Sequence, residues 1–255
     1  MELKKNYKWS LVVPTSMGIR LTPTALGQPI HSSNSLFMQA TSAETNVASV
    51  PSYLGLPTKV LTTFVKGSPI AQFIKDNLRS RNMAFEGPEI EQGGPWGYRH
   101  QINIADSGHG SRGPRVWNDR AGEVGRTLNV KDFNLDRLFG EEGVQILHLS
   151  GLIGALSPES SQFCLELARA AKKYGTKIAF DLNHRASFWE GREEELHAIF
   201  SEIASIADIL IGNEEDFQLC LRVEGPEAGG KDIAAKIESF KAMITNVKQK
   251  YPNAS

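Results

Sequence analysis

The sequence predicts an α/β fold, a parallel sheet flanked by helices, with a small β-sheet appendage. Three observations predict it. From residue 144 onward short apolar runs alternate with helical periods, the ends of those helices carry capping residues, and one glycine-rich stretch, residues 93–125, breaks the regularity. At 255 residues and 40% hydrophobic content the chain can bury one large core.

The first clear element follows Ser68-Pro69, an N-cap and first-turn pair, with Ile70, Phe73, Ile74 and Leu78 on one helical face. Residues 93–125 hold eight of the 23 glycines, and Tyr98 to Ile104 alternates with Ile102 and Ile104 on one side, as a half-exposed strand does. Together with residues 15–40 this segment predicts a small antiparallel sheet projecting from the main domain. Val144 to Ser150 predicts a strand. Ser157-Pro158 then opens a helix whose face is Phe163, Leu167, Ala170 and Tyr174, and Gly175 stands where a left-handed C-cap belongs. Lys177 to Leu182 is the next strand, Leu196, Ile199, Phe200, Ile203 and Ile206 mark the next helix, and Ala207 to Ile211 the third strand. The order is βαβαβ, hence a parallel sheet. A last amphipathic helix carries Ile233, Ile237, Phe240, Ile244 and Val247.

Composition excludes several classes. The net charge of −1 divides unevenly, with 14 Lys/Arg against 9 Asp/Glu in residues 1–130 and 14 against 20 in residues 131–255, which places an anion acceptor in the first half. No basic block is interleaved with aromatics, so no nucleic-acid partner is expected. Cys164 and Cys220 sit apart in helical patterns without metal-ligand spacing and read as buried thiols. The apolar run after Lys4, Lys5 and Lys8 stops at Pro14, too early for a signal-peptide core, and no stretch reaches the ~18 apolar residues of a membrane span. A cytoplasmic protein with no membrane partner is the expectation.

In open parallel sheets ligands bind beyond the carboxyl ends of the strands. Polar residues cluster there: Ser150-Gly151 after the first run, Asp181-Leu182-Asn183-His184-Arg185 after the second, Gly212-Asn213-Glu214-Glu215-Asp216 after the third. Arg185 can fork onto a carboxylate or phosphate, or pair locally with Glu190 or Glu193. The Asn213 to Asp216 run suits a helix N-cap, and equally a pair of carboxylates ordering water around Mg²⁺. Gly108-His109-Gly110-Ser111-Arg112-Gly113 spells a dinucleotide fingerprint, but the extended-looking Pro114-Arg115-Val116-Trp117 comes after it where a helix is required, so a hairpin loop is expected.

Six segments in order resemble the ribokinase/PfkB-like sugar kinases, closest to their 2-keto-3-deoxygluconate kinase branch, over most of residues 10–225. Thr41-Ser42-Ala43-Glu44-Thr45-Asn46-Val47-Ala48 is similar to the family's Gly-Gly-Ala-Glu-x-Asn-Val-Ala, and Tyr53-Leu54-Gly55-Leu56-Pro57 carries the leucine-glycine that comes next in the family. Arg115 to Gly122 resembles the lid strand with its sugar-contacting arginine, and His148-Leu149-Ser150-Gly151 the strand end beneath the sugar. Asp181-x-Asn183-x-Arg185 resembles the Asp-x-Asn-x-Arg stretch, and Asn213-Glu214-Glu215-Asp216 the Asn-x-x-Glu motif.

The resemblance implies a Rossmann-like, ribokinase-like core spanning 1–255 with a β-sheet lid from about 15–40 and 93–125. It implies transfer of a phosphoryl group from ATP, with Mg²⁺, to a hydroxyl of a sugar or sugar acid. Thr41, Ser42 and Asn46 then hold sugar hydroxyls, and Arg99, Asn118 and Arg120 reach the sugar from the lid. Asn183 and Arg185 lie where sugar and nucleotide phosphates meet, and Glu215 and Asp216 lie near Mg²⁺. A homodimer through the lid is a further expectation.

Four departures stand out: Thr41-Ser42 in place of paired glycines, Thr15-Ser16-Met17 where an acid is common, Asp216 for Glu, and no Gly-Ala-Gly-Asp segment to supply the catalytic aspartate and phosphate cradle. Gly229-Gly230-Lys231-Asp232 is the nearest string to it. The expectation is therefore an acceptor-binding part that lacks the donor half and is inactive alone. The alternatives are a non-catalytic sugar-binding or regulatory protein derived from such a kinase and, on the glycine string, an NAD-dependent oxidoreductase.

Overall fold

The computed structural model describes residues 2–225 and 233–254, so the Gly229 to Asp232 string lies outside the described residues. Two compact units are formed, one from residues 1–14 and 129–255, the other from residues 15–128.

β1 (Trp9–Pro14) opens the first unit. The second unit then runs through β2 (Gly18–Pro23), β3 (Leu36–Thr41), α1 (Ala43–Tyr53), β4 (Thr58–Leu61), β5 (Phe64–Val65) and α2 (Pro69–Ser80). It ends with β6 (Met83–Glu86), β7 (Glu89–Ile90), β8 (Gln101–Asp106) and β9 (Arg115–Asp119). Back in the first unit come β10 (Val144–Ser150), α3 (Gly151–Ala155), α4 (Pro158–Lys173), β11 (Lys177–Asp181) and α5 (Ala186–Trp189). α6 (Glu193–Ile206), β12 (Ile209–Ile211), α7 (Glu214–Leu221) and α8 (Ile233–Lys250) complete it.

In the first unit the strands pair in parallel in the order β12-β11-β10-β1, the expected βαβαβ sheet. Val12, Val13, Leu147, Leu149, Ile178 and Phe180 are buried, which is why these strands read as continuous apolar runs rather than alternating ones. α4 begins where the sequence places it. The Ser157 hydroxyl accepts from Ser160 N, Ser160 returns the bond, Pro158 fills the first turn, and Gly175 takes φ +73° beyond the helix end. Three glutamates, Glu193 to Glu195, sit on the positive end of α6. β12 starts two residues later than predicted because Asp208 turns its carboxylate onto Lys177 Nζ (2.8 Å) and Ile178 N (3.0 Å) instead of continuing the strand. Cys164 and Cys220 are both buried and form no disulfide.

An aromatic column rises through this unit. Phe180 meets Phe200 edge-on at 5.2 Å, Phe200 meets Trp189 at 4.9 Å, and Trp189 meets His184 at 5.2 Å, so the loop after β11 rests on the core by ring contacts. Gly151 sits beside the column, and a Cβ there would lie 1.9 Å from Leu182 O and 2.7 Å from Phe200 Cε1. Only glycine fits that approach.

In the second unit β4 and β6 pair in parallel, as do the short β5 and β7. α2 packs Ala71, Ile74 and Leu78 inward, and its N-cap is Ser68, whose hydroxyl accepts from Ala71 N. The remaining four strands form a separate sheet in the order β3-β2-β8-β9. This sheet is mixed, not antiparallel throughout as expected: the β2–β3 and β8–β9 pairs are antiparallel, but β2 and β8 run parallel. The glycine string closes the β8–β9 hairpin, with His109 and Arg112 exchanging backbone bonds of 2.9 and 3.0 Å. A strand comes after it, with no helix N-terminus to face a pyrophosphate.

Candidate active site

In the first unit, register fixes the site. Ser150, Asp181 and Ile211 are direct neighbours at the ends of β10, β11 and β12, so the polar segments after them begin at one level. Leu182 N still bonds Ile211 O at 2.8 Å, after which the chain turns through Asn183 at φ +38°, a left-handed value that asparagine tolerates better than most residues. The turn brings the Asn183 amide onto Ser150 Oγ at 3.2 Å.

Asp216 binds the loop ends together. Its Oδ1 accepts from His184 N (2.8 Å) and its Oδ2 from Asn213 N (2.9 Å), while Asn213 Oδ1 accepts from Asp216 N (2.8 Å). The capping role is therefore real, and it extends across two loops. Glu215, the next acid on α7, is exposed and forms no hydrogen bond or ion pair among the described residues. Burial holds His184 below the ordinary histidine value against the opposing pull of Asp216 and Glu215, and burial takes His148 down to about 4, so His148 is neutral near pH 7.

Arg185 stands exposed at the N-terminus of α5, and its guanidinium donates only to the carbonyl of His184 (2.6 Å) among the described residues. Neither Glu190 nor Glu193 takes it up. Glu193 accepts from Gly191 N instead.

In the second unit, Thr41 ends β3 and is buried, and Ser42 caps α1 by accepting from Thr45 N at 3.0 Å. Ser42 has φ −161°, an extended conformation open to any residue, so this turn has no need of the paired glycines. Asn46 is exposed on the first turns of α1, with no side-chain hydrogen bond among the described residues. Nearby, Thr15 donates to Glu44 (2.6 Å) and Ser16 to Glu123 (2.5 Å), so the Thr15-Ser16-Met17 stretch borrows two buried acids from elsewhere in the chain.

The expected cations of this unit are already paired. Arg99 donates to Asp119 Oδ1 and Ala121 O, both at 2.6 Å. Arg120 Nη1 spans both oxygens of buried Glu123 at 2.7 and 2.9 Å. Asn118 Oδ1 accepts from Asn103 Nδ2 at 2.7 Å, and Asn103 also reaches Gln101 at 3.2 Å. Gln101, Asn103 and Arg20 belong to this polar face, and no motif in the sequence points to them. The alternation of Ile102 and Ile104 with Gln101 and Asn103 is the signal that could have found two of them.

Among the described residues no group of three or more His, Cys, Asp or Glu side chains could hold a metal ion. The acids after β12 fit an ion held largely by water and phosphate, with Glu215 as the accessible carboxylate and Asp216 committed to backbone amides.

Residues 120–251 match the model of the pfkB family carbohydrate kinases. The chain is 27% identical over 211 residues to the 2-dehydro-3-deoxygalactonokinase of Haloferax volcanii, across 81% of this chain and 61% of that protein. It superposes on the crystal structure of the Thermotoga maritima 2-dehydro-3-deoxygluconokinase with a TM-score of 0.79 and 23% identity, covering 95% of this chain and 69% of that one. A Pyrococcus horikoshii sugar kinase, solved in complex with ATP, gives a TM-score of 0.67 at 20% identity over 83% of this chain and 66% of its own. The chain thus spans roughly two thirds of the length of these relatives, and the two low-identity likenesses are likenesses of fold.

Proposed function

Because the chain belongs to the pfkB family of carbohydrate kinases, we propose that it provides the acceptor-binding part of an enzyme that transfers a phosphoryl group from ATP to a hydroxyl of a sugar acid. The observation that carries this reading is Arg185, a guanidinium without an acidic partner among the described residues, at the carboxyl edge of a parallel sheet beside the Asn183–Ser150 contact. Asn46 and Asn118 offer amides for hydroxyls, and Asn183 and Arg185 meet the anionic end of the reacting pair. The Arg120 guanidinium, balanced by Glu123, orients groups without adding net charge. Mg²⁺, when bound through water near Glu215, would offset charge on the transferring phosphates. The rest of the work is positioning.

The test is a calorimetric titration of the 255-residue chain with 2-keto-3-deoxygluconate and with fructose. Saturable binding of the acid, tighter than that of fructose and weakened about 10- to 100-fold by Arg185→Ala, is the expected result for loss of a charge-assisted contact. No binding of either sugar would remove the reading.

Residues 15–40 and 93–125, which contain β2, β8, β9 and all of β3 but Thr41, are proposed to act as a lid over the acceptor. β9 is an edge strand exposed along its whole length, and such segments open locally at low cost. Amide hydrogen exchange in residues 93–125 should be fast in the free protein and slow on addition of the sugar acid. Strong protection before ligand is added would refute the lid.

A sugar-binding or regulatory protein without turnover is the second reading. It is favoured by buried Thr41 and Ser42, whose side chains occupy the turn where the family has glycines.

A further inference from the structure

The four-stranded sheet of the second unit is two-faced, and register assigns its faces residue by residue. Arg20 on β2 lies directly opposite Gln39 on β3 and Asn103 on β8, and Asn103 lies opposite Asn118 on β9. Gln39, Arg20, Asn103 and Asn118 therefore form one row across all four strands and point to the same side. The next row, Met38, Leu21, Ile104 and Trp117, points to the other side and is apolar throughout.

Within the polar row the amides satisfy one another. Asn103 bridges Gln101 and Asn118 by side-chain hydrogen bonds. Arg20 does not share in this. It is half-buried, its Nε is shielded from solvent with no hydrogen-bond partner, and no ion pair or hydrogen bond reaches its guanidinium from any described residue. Four other arginines of this unit are neutralised: Arg79 by Asp76, Arg99 by Asp119, Arg112 by Asp106 and Arg120 by Glu123. A shielded donor without an acceptor is costly, and it is relieved when an anion arrives with the geometry of a carboxylate.

We propose that Arg20 binds the carboxylate of the sugar acid, with the amides of Asn103 and Asn118 beside it for the neighbouring hydroxyls, and that it, rather than Arg120, is the arginine of this unit that favours acidic over neutral sugars. This rests on the sugar-acid reading above.

The experiment titrates 2-keto-3-deoxygluconate, fructose and inorganic phosphate into the wild-type chain, Arg20→Gln and Arg20→Lys, with the melting temperature of each recorded. Arg20→Gln should weaken the acid about 10- to 100-fold, the loss of a charge-assisted pair, while fructose affinity and melting temperature stay unchanged and Arg20→Lys falls between. If the wild type prefers the acid and Arg20→Gln binds it equally well, the assignment is overturned and the sugar-acid reading survives. A parallel loss of fructose binding shows a structural role and also overturns it, as does a loss that appears with phosphate and not with the acid. Wild type that binds no sugar overturns both.

Discussion

Given ATP, Mg²⁺ and 2-keto-3-deoxygluconate, the purified 255-residue chain is expected to release no ADP above background, even where it binds the sugar acid. Phosphoryl transfer requires a base at the accepting hydroxyl and preorganised donors around the transferring group. Glu215 is accessible but is assigned above to the neighbourhood of Mg²⁺, and three other acids are committed elsewhere. Asp216 gives both oxygens to backbone amides, Glu44 lies buried against Thr15, and Glu123 lies buried against Ser16 and Arg120. A missing base costs ~10² to 10⁴ in rate and a missing charge-stabilising cradle another ~10² to 10³, so the joint loss is ~10⁴ to 10⁷. A coupled ADP-release assay, with a full-length pfkB kinase as positive control, makes the measurement. Turnover near that of the control would locate the base within residues 1–255 and defeat the division of labour proposed above.

The second large effect is expected at Phe200. This ring is fully buried, contacts both Phe180 and Trp189 edge-on, and walls the space beside Gly151. Phe200→Ala should destabilise the chain by about 3–5 kcal/mol in urea denaturation, the range for removing a large aromatic side chain from a packed core. Because Trp189 supports His184, the same change should weaken sugar-acid binding under conditions where the protein is still folded. A loss below about 1.5 kcal/mol, as in a volume-conserving swap, would mean that the column relaxes into the cavity and does not brace the site loop.

The parallel half of the fold is legible in the sequence because its signals are local. Ser157-Pro158 and Gly175 delimit α4, Asn213 delimits α7, and the buried strands are apolar on both faces. The Asp208 diversion is hidden because its carboxylate answers to Lys177, thirty-one residues earlier. The parallel pairing of β2 with β8 is hidden likewise, since strands about eighty residues apart in the chain carry no turn that reports their direction.

In the site, the polar residues after β10, β11 and β12 are legible because each directly succeeds an apolar run, at the strand end where ligands bind in parallel sheets. Arg20 is not. A lone arginine in an alternating strand reads as a solvated side chain, and only register with Gln39 and Asn103 shows the company it keeps. The resemblance has Arg120 reaching the sugar, and its pairing is hidden because Glu123 becomes its partner only when the turn at residues 120–123 forms.

The pleat of the four-stranded sheet has an evolutionary consequence. Since neighbouring residues along a strand face opposite ways, replacements at positions 20, 39, 103 and 118 leave the apolar row of positions 21, 38, 104 and 117 in place. Side chains on the two faces point apart, so a change on one face leaves the cross-strand packing of the other in place. Ligand preference can therefore drift among descendants of such a chain by point changes on one side of a ribbon, with the scaffold inherited intact on the other.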